Sequence, residues 1–446
     1  MGLGQFGGGL GVVRWLHGLG ARVLITDQST EKKLASAIDS IAALIADGSV
    51  SLRFGAHDRT DFEHADLVVA NAAVPQPWNY SYLSFARAAG VPVTAEICLS
   101  VERLGSDRVV AITGSAGKST TTAMTACALA ATNREVRIGG NIGGSLLGSS
   151  PLGATGWTVL ELSSAQLWWL SKESGFAGWS PQIGVLTNIA PNHIDWHGSV
   201  RHYVDSKAQI RRNQSTADIF ISFFSAENQS QAERTGVDSS SGLWWDGGWI
   251  PELPCAESLT LSIPGEHQRR NARLALAVTL ACARVDGSPA DLAGARSALA
   301  KFQGLDHRLQ SVGTIDGVRC FNDSKATTPE ATRFALAAFE DIGRIHLIAG
   351  GHDKGIDLAS IRDLAPRLAG LYAIGATASA LAPAPPAIRC RDLAQAVECA
   401  FSRAKSGDIL LLSPACASWD QFTNFEQRGR QFVDLVHARQ SLNRCS

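Results

Sequence analysis

Short apolar runs alternate with amphipathic stretches along this chain, and each run ends at a glycine or a cluster of polar residues. The runs at 21–27, 51–54, 66–71 and 91–94 form a first series, 108–113, 158–161 and 183–188 a second, and 317–323, 344–350, 371–375 and 408–413 a third. Runs of this length, rich in Val, Ile and Leu, read as buried strands, and the helical periodicity between them, as in 10–19, predicts crossover helices. Alternating strands and helices build parallel sheets covered on both faces, so the fold class is α/β. With 446 residues and about 100–200 per domain, three domains are expected. Their bounds fall at 1–98, 99–304 and 305–446, the central one carrying a mostly parallel sheet. The polar, Trp-rich stretch 225–255 breaks the rhythm and predicts loops or short antiparallel strands, and the Ala/Pro-rich run 380–387 predicts a surface loop.

The run at 108–113 leads into Thr113-Gly-Ser-Ala-Gly-Lys-Ser-Thr120 and then a helix-forming stretch. Backbone N–H groups freed by Gly114 and Gly117 converge on anionic oxygens in such a turn. The helix aims its positive end at them, Lys118 adds a full charge, and Ser119 can hold Mg²⁺. An ATP-binding phosphate loop is therefore predicted over Gly114, Ser115, Ala116, Gly117, Lys118, Ser119 and Thr120. It is a short form of the motif, because Ile112 occupies the place of the first glycine in G-x-x-x-x-G-K-[ST].

A second glycine-rich turn, with Gly2, Gly4 and Gly7, precedes the periodic stretch 10–19, and Asp27 ends the next strand about 20 residues on. That is the layout of a dinucleotide-binding unit, with the strand before the first glycine unaccounted for. The expectation is a strand upstream of Met1 or a sheet lacking an edge. The residues alone leave two readings open, a nucleotide cradle and a tight structural turn.

Forty basic and 41 acidic residues give a formal charge of −1, which supplies no field for binding nucleic acid or an anionic membrane. Nine cysteines without a C-x-x-C pair suggest reduced, buried thiols rather than zinc or redox chemistry. The chain opens without a charged and then apolar leader, and its apolar runs fall short of the ~20 residues that span a bilayer, so a cytoplasmic protein is expected.

Three further positions follow strand ends. Glu161 leads into Leu162-Ser-Ser-Ala-Gln166, either as a Mg²⁺ ligand opposite the phosphate loop or as the approach to a helix capped by Ser163 and Ser164. His193 lies in Asn188-Ile-Ala-Pro-Asn-His-Ile-Asp195, where a loop histidine serves metal, substrate or packing. Lys207 lies on the next amphipathic helix, where a solvated lysine is the ordinary case.

Taken in order, Thr113-Gly-Ser-Ala-Gly-Lys-Ser-Thr120, Gly140-Asn141-Ile-Gly143, Glu161-Leu-Ser-Ser, Asn192-His-Ile-Asp195, Gly304-Leu-Asp-His-Arg308, Asn322-Asp-Ser-Lys-Ala-Thr327 and Ser413-Pro-Ala-Cys-Ala-Ser418 resemble the Mur ligases over nearly the whole chain. The resemblance implies a Rossmann-like N-terminal domain for the UDP end of a nucleotide substrate, a central ATP domain and a Rossmann-like C-terminal domain for glutamate. The activity implied is ATP-dependent joining of D-glutamate to UDP-N-acetylmuramoyl-L-alanine through an acyl phosphate, with ATP and two Mg²⁺ ions, in a cytoplasmic monomer. Residue by residue, Lys118 and Ser119 meet the ATP phosphates and Mg²⁺, Glu161 and His193 hold metal, and Lys207 carries a carbamate whose oxygens help hold metal. Lys118, His193 and Lys207 are the implied catalytic residues. Gln5, Phe6, Asp27, Asn71, Asn141 and His193 would take the UDP substrate. Asn271, Arg308 and Asp323 would take adenine, phosphate and ribose, and Lys325, Thr327, Lys354, Ser418 and Phe425 the glutamate.

Four positions depart from the family pattern: Ala116 and Thr328 stand in place of Asn, Gln268 in place of Asn, and Trp419 in place of a smaller apolar residue. Other readings are an L-glutamate-adding variant and another ligase of the Mur or folylpolyglutamate type. From other classes come a nicotinamide oxidoreductase, suggested by the opening glycines, and a non-catalytic phosphate-loop switch.

Overall fold

The computed structural model describes residues 1–4, 7–224, 242–245, 248–249 and 259–443, and the chain divides into two compact units. The first comprises Met1–Cys255 with Asn271–Leu299, the second Ala256–Arg270 with Ala300–Ser446.

At the start of the first unit, β1 (Val23–Asp27) pairs in parallel with β2 (Val50–Phe54), and β3 (Val68–Ala70) with β4 (Val93–Ala95). The opening residues tie the two pairs together. The Met1 amino group donates to the Val69 carbonyl (2.9 Å), Asn71 N to the Met1 carbonyl (3.0 Å), and Gly2 N to the Thr26 carbonyl (2.8 Å).

The main sheet of this unit contains β5 (Val109–Thr113), β6 (Val136–Gly140), β7 (Trp157–Glu161), β8 (Ile183–Leu186), β9 (Ile219–Phe224), β10 (Gly242–Trp245) and β11 (Gly248–Trp249). Among the described residues its order is β11-β10-β9-β8-β5-β7-β6. Strands β6 to β9 are parallel, whereas β10 runs antiparallel to both its neighbours, as the broken rhythm at 225–255 predicts; the rest of that stretch lies outside the described residues. Every residue of β5, β7 and β8 is buried, the expected state of strands covered by helices on both faces. Because β5 sits between β7 and β8, with Ile112 opposite Glu161 and Thr113 opposite Leu186, the segments that leave all three strands emerge side by side.

In the second unit, β12 (Gln310–Ile315) and β13 (Val318–Asn322) form a hairpin whose turn residues Asp316 and Gly317 have φ of 53° and 78°. Two left-handed turn residues suit the right-handed twist of paired strands. The other strands, β14 (Ile345–Gly350), β15 (Gly370–Ile374), β16 (Ile388–Arg389) and β17 (Ile409–Leu412), run parallel in the order β12-β13-β17-β14-β15-β16. Alternate residues feed opposite cores: Leu347 and Leu411 join one with Phe321, Ile348 and Leu410 the other with Phe432. Insertion of β17 between β13 and β14 makes neighbours of the loops that follow all three.

The run 380–387 is not wholly a surface loop. A short helix, Ala378–Leu381, enters it, and Leu381 and Ala382 are buried, because alanine and leucine next to the prolines find a place against β14 and β15. Described cysteines are free, and burial pushes the thiols of Cys98, Cys320 and Cys390 up to about 12. Among the described residues no helix is long and apolar enough to cross a membrane.

Candidate active site

The phosphate loop joins β5 to the helix Lys118–Ala130, and two of its residues must be glycine. Gly114 has φ of 149°, and a Cβ there would lie 1.9 Å from Thr187 Oγ1. Gly117 caps the helix at φ of 80°, and a Cβ there would lie 2.8 Å from Asn271 Oδ1. The segment leaving β8 braces the loop. Asn188 Oδ1 accepts from Ala116 N (2.9 Å), Asn188 Nδ2 and Thr187 Oγ1 donate to the Ala116 carbonyl (3.0 and 2.6 Å), and Ser115 Oγ lies 2.6 Å from the Tyr203 hydroxyl. The Ala116 departure therefore leaves the backbone at that position fixed from both sides.

Two lysines converge on one carbonyl. Lys118 Nζ donates to the Gly114 carbonyl at 2.9 Å, and Lys207 Nζ, from the helix Val200–Arg212, donates to the same oxygen at 2.8 Å and to Thr113 Oγ1 at 3.2 Å. Lys207 is 2% exposed, so the solvated alternative does not hold. Burial, and then the charge of Lys118, hold its pKa well below the ordinary lysine range, with Glu161 opposing. Glu161 is 1% exposed; Oε1 accepts from Asn141 Nδ2 at 2.7 Å, and among the described residues Oε2 has no hydrogen-bond partner. A buried, half-satisfied carboxylate beside a phosphate loop suits a cation. The competing cap reading of the next residues also holds, since Ser163 and Gln166 form a reciprocal capping box on the helix Ser164–Trp169. Among the described residues no group of three His, Cys, Asp or Glu forms a ready metal cage. Mg²⁺ needs none, because it commonly takes one or two carboxylates plus phosphate oxygens and water.

His193 is exposed on its loop in a left-handed conformation (φ 50°), at the start of the short helix Ile194–His197. Partial desolvation of the ring, then the charges of Lys118 and Lys207, keep it below its ordinary pKa. Behind it, buried His197 places Nε2 2.9 Å from Ser164 Oγ and Nδ1 2.8 Å from His202 Nδ1; burial, and then the neighbouring His202, push its pKa down to about 3.

A cavity of about 1620 Å³ in the same unit is lined by Gly2, Gly4, Asn71, Gly140, Asn141 and His193, together with apolar residues of β1 and β3. The opening glycines, Asn71, Asn141 and His193 thus share one space. Asp27 is a brace for the turn: its carboxylate accepts from Leu3 N (2.9 Å) and Ser29 N (2.8 Å). Gln5 and Phe6 lie outside the described residues.

In the second unit, Asp323 is buried beyond β13. Its oxygens accept from Leu309 N (3.1 Å) and Ser413 Oγ (2.8 Å), and burial pushes its pKa up to about 7, with Arg308 opposing. Arg308 is exposed, between His307 and Leu309, both of positive φ. Lys325 Nζ lies 5.1 Å over the Phe425 ring and Lys354 Nζ 4.8 Å over the Trp419 ring. Ser418 is buried at the end of the loop after β17, and Thr327 is half-buried beyond β13. Loops after β13, β14 and β17 therefore carry four of the five expected glutamate residues, with Phe425 at the start of the helix Phe425–Asn443. Next to Lys354, a cavity of about 10 Å³ lies among His352, Thr377 and Cys416.

Sequence reasoning missed Thr187, Tyr203, His197 and Arg428. Only Arg428 had a signal, its place in Asn424-Phe-Glu-Gln-Arg-Gly429, and nothing there reveals that an arginine is buried.

Known proteins resemble this chain in sequence and in fold. The Mur ligase middle domain matches residues 112–241, and the Mur ligase glutamate ligase domain residues 307–416. A UDP-N-acetylmuramoylalanine--D-glutamate ligase of Acidobacterium capsulatum is 35% identical over 468 aligned positions, covering 98% of this chain and 95% of that protein. Among solved structures, the UDP-N-acetylmuramate-alanine ligase of Thermotoga maritima superposes with a TM-score of 0.57 at 20% identity over 98% of both chains. The MurF ligase of the same organism, in complex with ADP, gives 0.52 at 18% identity over 85% of this chain and 97% of that one.

Proposed function

This chain belongs to the Mur ligases, and from that premise we propose how its residues divide the work of the reaction. It is an ATP-dependent ligase that adds D-glutamate to UDP-N-acetylmuramoyl-L-alanine in peptidoglycan precursor synthesis. In the proposed division, 1–98 takes the UDP end, 99–304 takes ATP and 305–446 takes D-glutamate. The enzyme works as a cytoplasmic monomer, where its nucleotide substrates are found.

A carboxylate is a poor electrophile, so the alanyl carboxylate attacks the γ-phosphorus of ATP, giving an acyl phosphate and ADP. The amine of D-glutamate then attacks the acyl carbon, and the tetrahedral intermediate expels phosphate as the amine gives up its protons. Two anions meet in the first step. Lys118 and the amide groups of Gly117, Lys118 and Ser119 at the helix terminus offset that repulsion and the charge that moves to the bridging oxygen. One Mg²⁺ would be held by Ser119 and Glu161 and a second by His193, and both would supply further neutralisation of phosphate charge. Asn141 fixes Glu161 through Oε1 and leaves Oε2 for the cation. The opening glycines, Asn71, Asn141 and His193 hold the nucleotide substrate in their shared cavity, with Asp27 keeping the turn in place, and Gln5 and Phe6 are assigned to the same substrate. Asn271, Arg308 and Asp323 serve adenine, phosphate and ribose. Lys325, Thr327, Lys354, Ser418 and Phe425 serve the two carboxylates and the stem of the amino acid.

The observation that carries this reading is the meeting of Lys118 and Lys207 at the Gly114 carbonyl. Two ammonium groups on one oxygen repel, and the buried one loses its proton more readily. A neutral Lys207 amine is a nucleophile toward CO₂: the N–C bond forms, a proton leaves, and the resulting carbamate is an anion beside Lys118 and the metal position. Lys207→Ala should abolish nearly all ligation, and acetate or formate should restore part of it. Normal turnover of Lys207→Ala without added carboxylate would overturn the assignment.

A further inference from the structure

Arg428 belongs to the Asn424-Phe-Glu-Gln-Arg-Gly429 run and has no part in the mechanism above, yet it is one of the largest side chains in the molecule to be completely buried. Among the described residues its guanidinium donates only to uncharged acceptors. Nε reaches Ser324 Oγ at 3.0 Å, and Nη2 reaches the Ser324 carbonyl at 2.9 Å and the Cys416 carbonyl at 3.1 Å. Nη1 reaches the carbonyls of Cys416 and Ala417 at 3.2 and 3.3 Å. The Ala417 carbonyl also accepts from His352 N at 2.8 Å, and Ser324 Oγ donates to the Phe425 carbonyl at 2.8 Å. At Gly351 a Cβ would lie 2.2 Å from the Ala417 carbonyl and 3.2 Å from Nη1, so only glycine lets the loop after β14 come this close.

Arg428 thus ties the loop after β13 to the loop after β17, and the Ala417 carbonyl that it holds also takes the loop after β14 through His352 N. Each anchor lies next to an amino-acid-binding candidate: Ser324 before Lys325, His352 two residues before Lys354, Ala417 before Ser418. Burial pushes the guanidinium down to about 10, which leaves it charged at neutral pH. A buried cation ordinarily has a carboxylate partner. Here none of the acceptors among the described residues is one; the Asp420 carboxylate acts on the guanidinium through its charge and is not one of the hydrogen-bond partners that hold the fork.

We propose that Arg428 is a positioning residue of the amino-acid pocket: its rigid fork sets the relative places of the three loops that carry the amino-acid-binding candidates. The inference rests on the second unit being the D-glutamate site. The test is steady-state ligation by Arg428→Met and Arg428→Lys, with D-glutamate, ATP and UDP-N-acetylmuramoyl-L-alanine varied in turn and folding followed by thermal melting. Arg428→Met should raise the KM for D-glutamate about tenfold or more and leave the other two KM values within about twofold. Arg428→Lys keeps the charge but loses the planar fork, so its glutamate KM should fall between those of Arg428→Met and the wild type. If Arg428→Met does not fold, Arg428→Lys and Ser324→Ala, which removes one acceptor, should show the same selective rise. Folded variants with an unchanged glutamate KM, or with all three KM values rising together, would overturn the proposal. Lys354→Ala in the same assay tests the underlying site separately. If it leaves the glutamate KM unchanged while Arg428→Met raises it, the role of Lys354 falls and that of Arg428 stands.

Discussion

Lys118 and Lys207 share an oxygen, but their removal should have different signatures. Lys118 is half-buried on the loop and contributes little to packing, so Lys118→Ala should melt close to the wild type while kcat falls by about a hundredfold or more. Substantial residual ligation would show that the helix terminus suffices without it. Asp323 offers a test by pH. Its folded-state pKa of about 7 lies above the ordinary 3.8, because burial penalises the carboxylate more than Ser413 and Leu309 repay it. Between those values the folded state binds more protons than the unfolded, so the Asp323 contribution to stability is fully present below about 3.8 and is lost as pH rises to about 7. Asp323→Asn should therefore gain on the wild type across that window, on the order of 2–4 kcal/mol by its upper end. A stability difference that does not change with pH, measured by urea unfolding at pH 4, 5.5 and 7, would contradict this.

Secondary-structure elements explain one of the family departures. Thr328 precedes Pro329, the first residue of the helix Pro329–Leu336, and its side chain accepts from Ala331 N at 3.3 Å. Asn and Thr both cap helices, so the exchange keeps the cap that fixes the end of the Lys325–Thr327 loop. Thr328→Ala should cost about 1 kcal/mol, and Thr328→Asn a few tenths at most; equal losses in thermal melting would mean that the hydroxyl bond does not matter. Most long apolar strands were legible in the sequence, such as β5, β7, β14 and β17, although β9 (Ile219–Phe224) was not among the runs read. Strand β6, Val136-Arg-Ile-Gly-Gly, was not, since an arginine and two glycines hide the pattern. The edge strands β12 and β16 escaped for a related reason: they are exposed on one side, polar or very short. The phosphate loop was legible because its chemistry is local, a few adjacent residues whose backbone does the binding. Arg428, Tyr203 and Thr187 were not, because their partners lie 11, 88 and 71 residues away and only the folded sheet brings them together.

Across the molecule, both large sheets gather their candidates at the ends of parallel strands, where a strand inserted out of chain order opens a crevice. In the first unit β5 lies between β7 and β8, and Lys118, Glu161 and the segment from Thr187 meet there. In the second, β17 lies between β13 and β14, and Asp323, Lys354 and Ser418 follow the same rule. The fold class and the ends of most central strands could be read from periodicity alone. Division into two compact units could not, because the helix Glu266–Val285 passes from one to the other, with Arg270 in the second and Asn271 in the first, and no break in its sequence marks the change. The central claim is chemical, and one measurement addresses it: purified protein given ATP, Mg²⁺ and UDP-N-acetylmuramoyl-L-alanine with D-glutamate, L-glutamate, D-aspartate or D-glutamine, the products identified by mass and ADP release followed in parallel. The account predicts ADP release matched one to one by a product that carries D-glutamate, and little with the other three. Ligation of D-glutamine at the same rate as D-glutamate, or ADP release without any amide product, would contradict it.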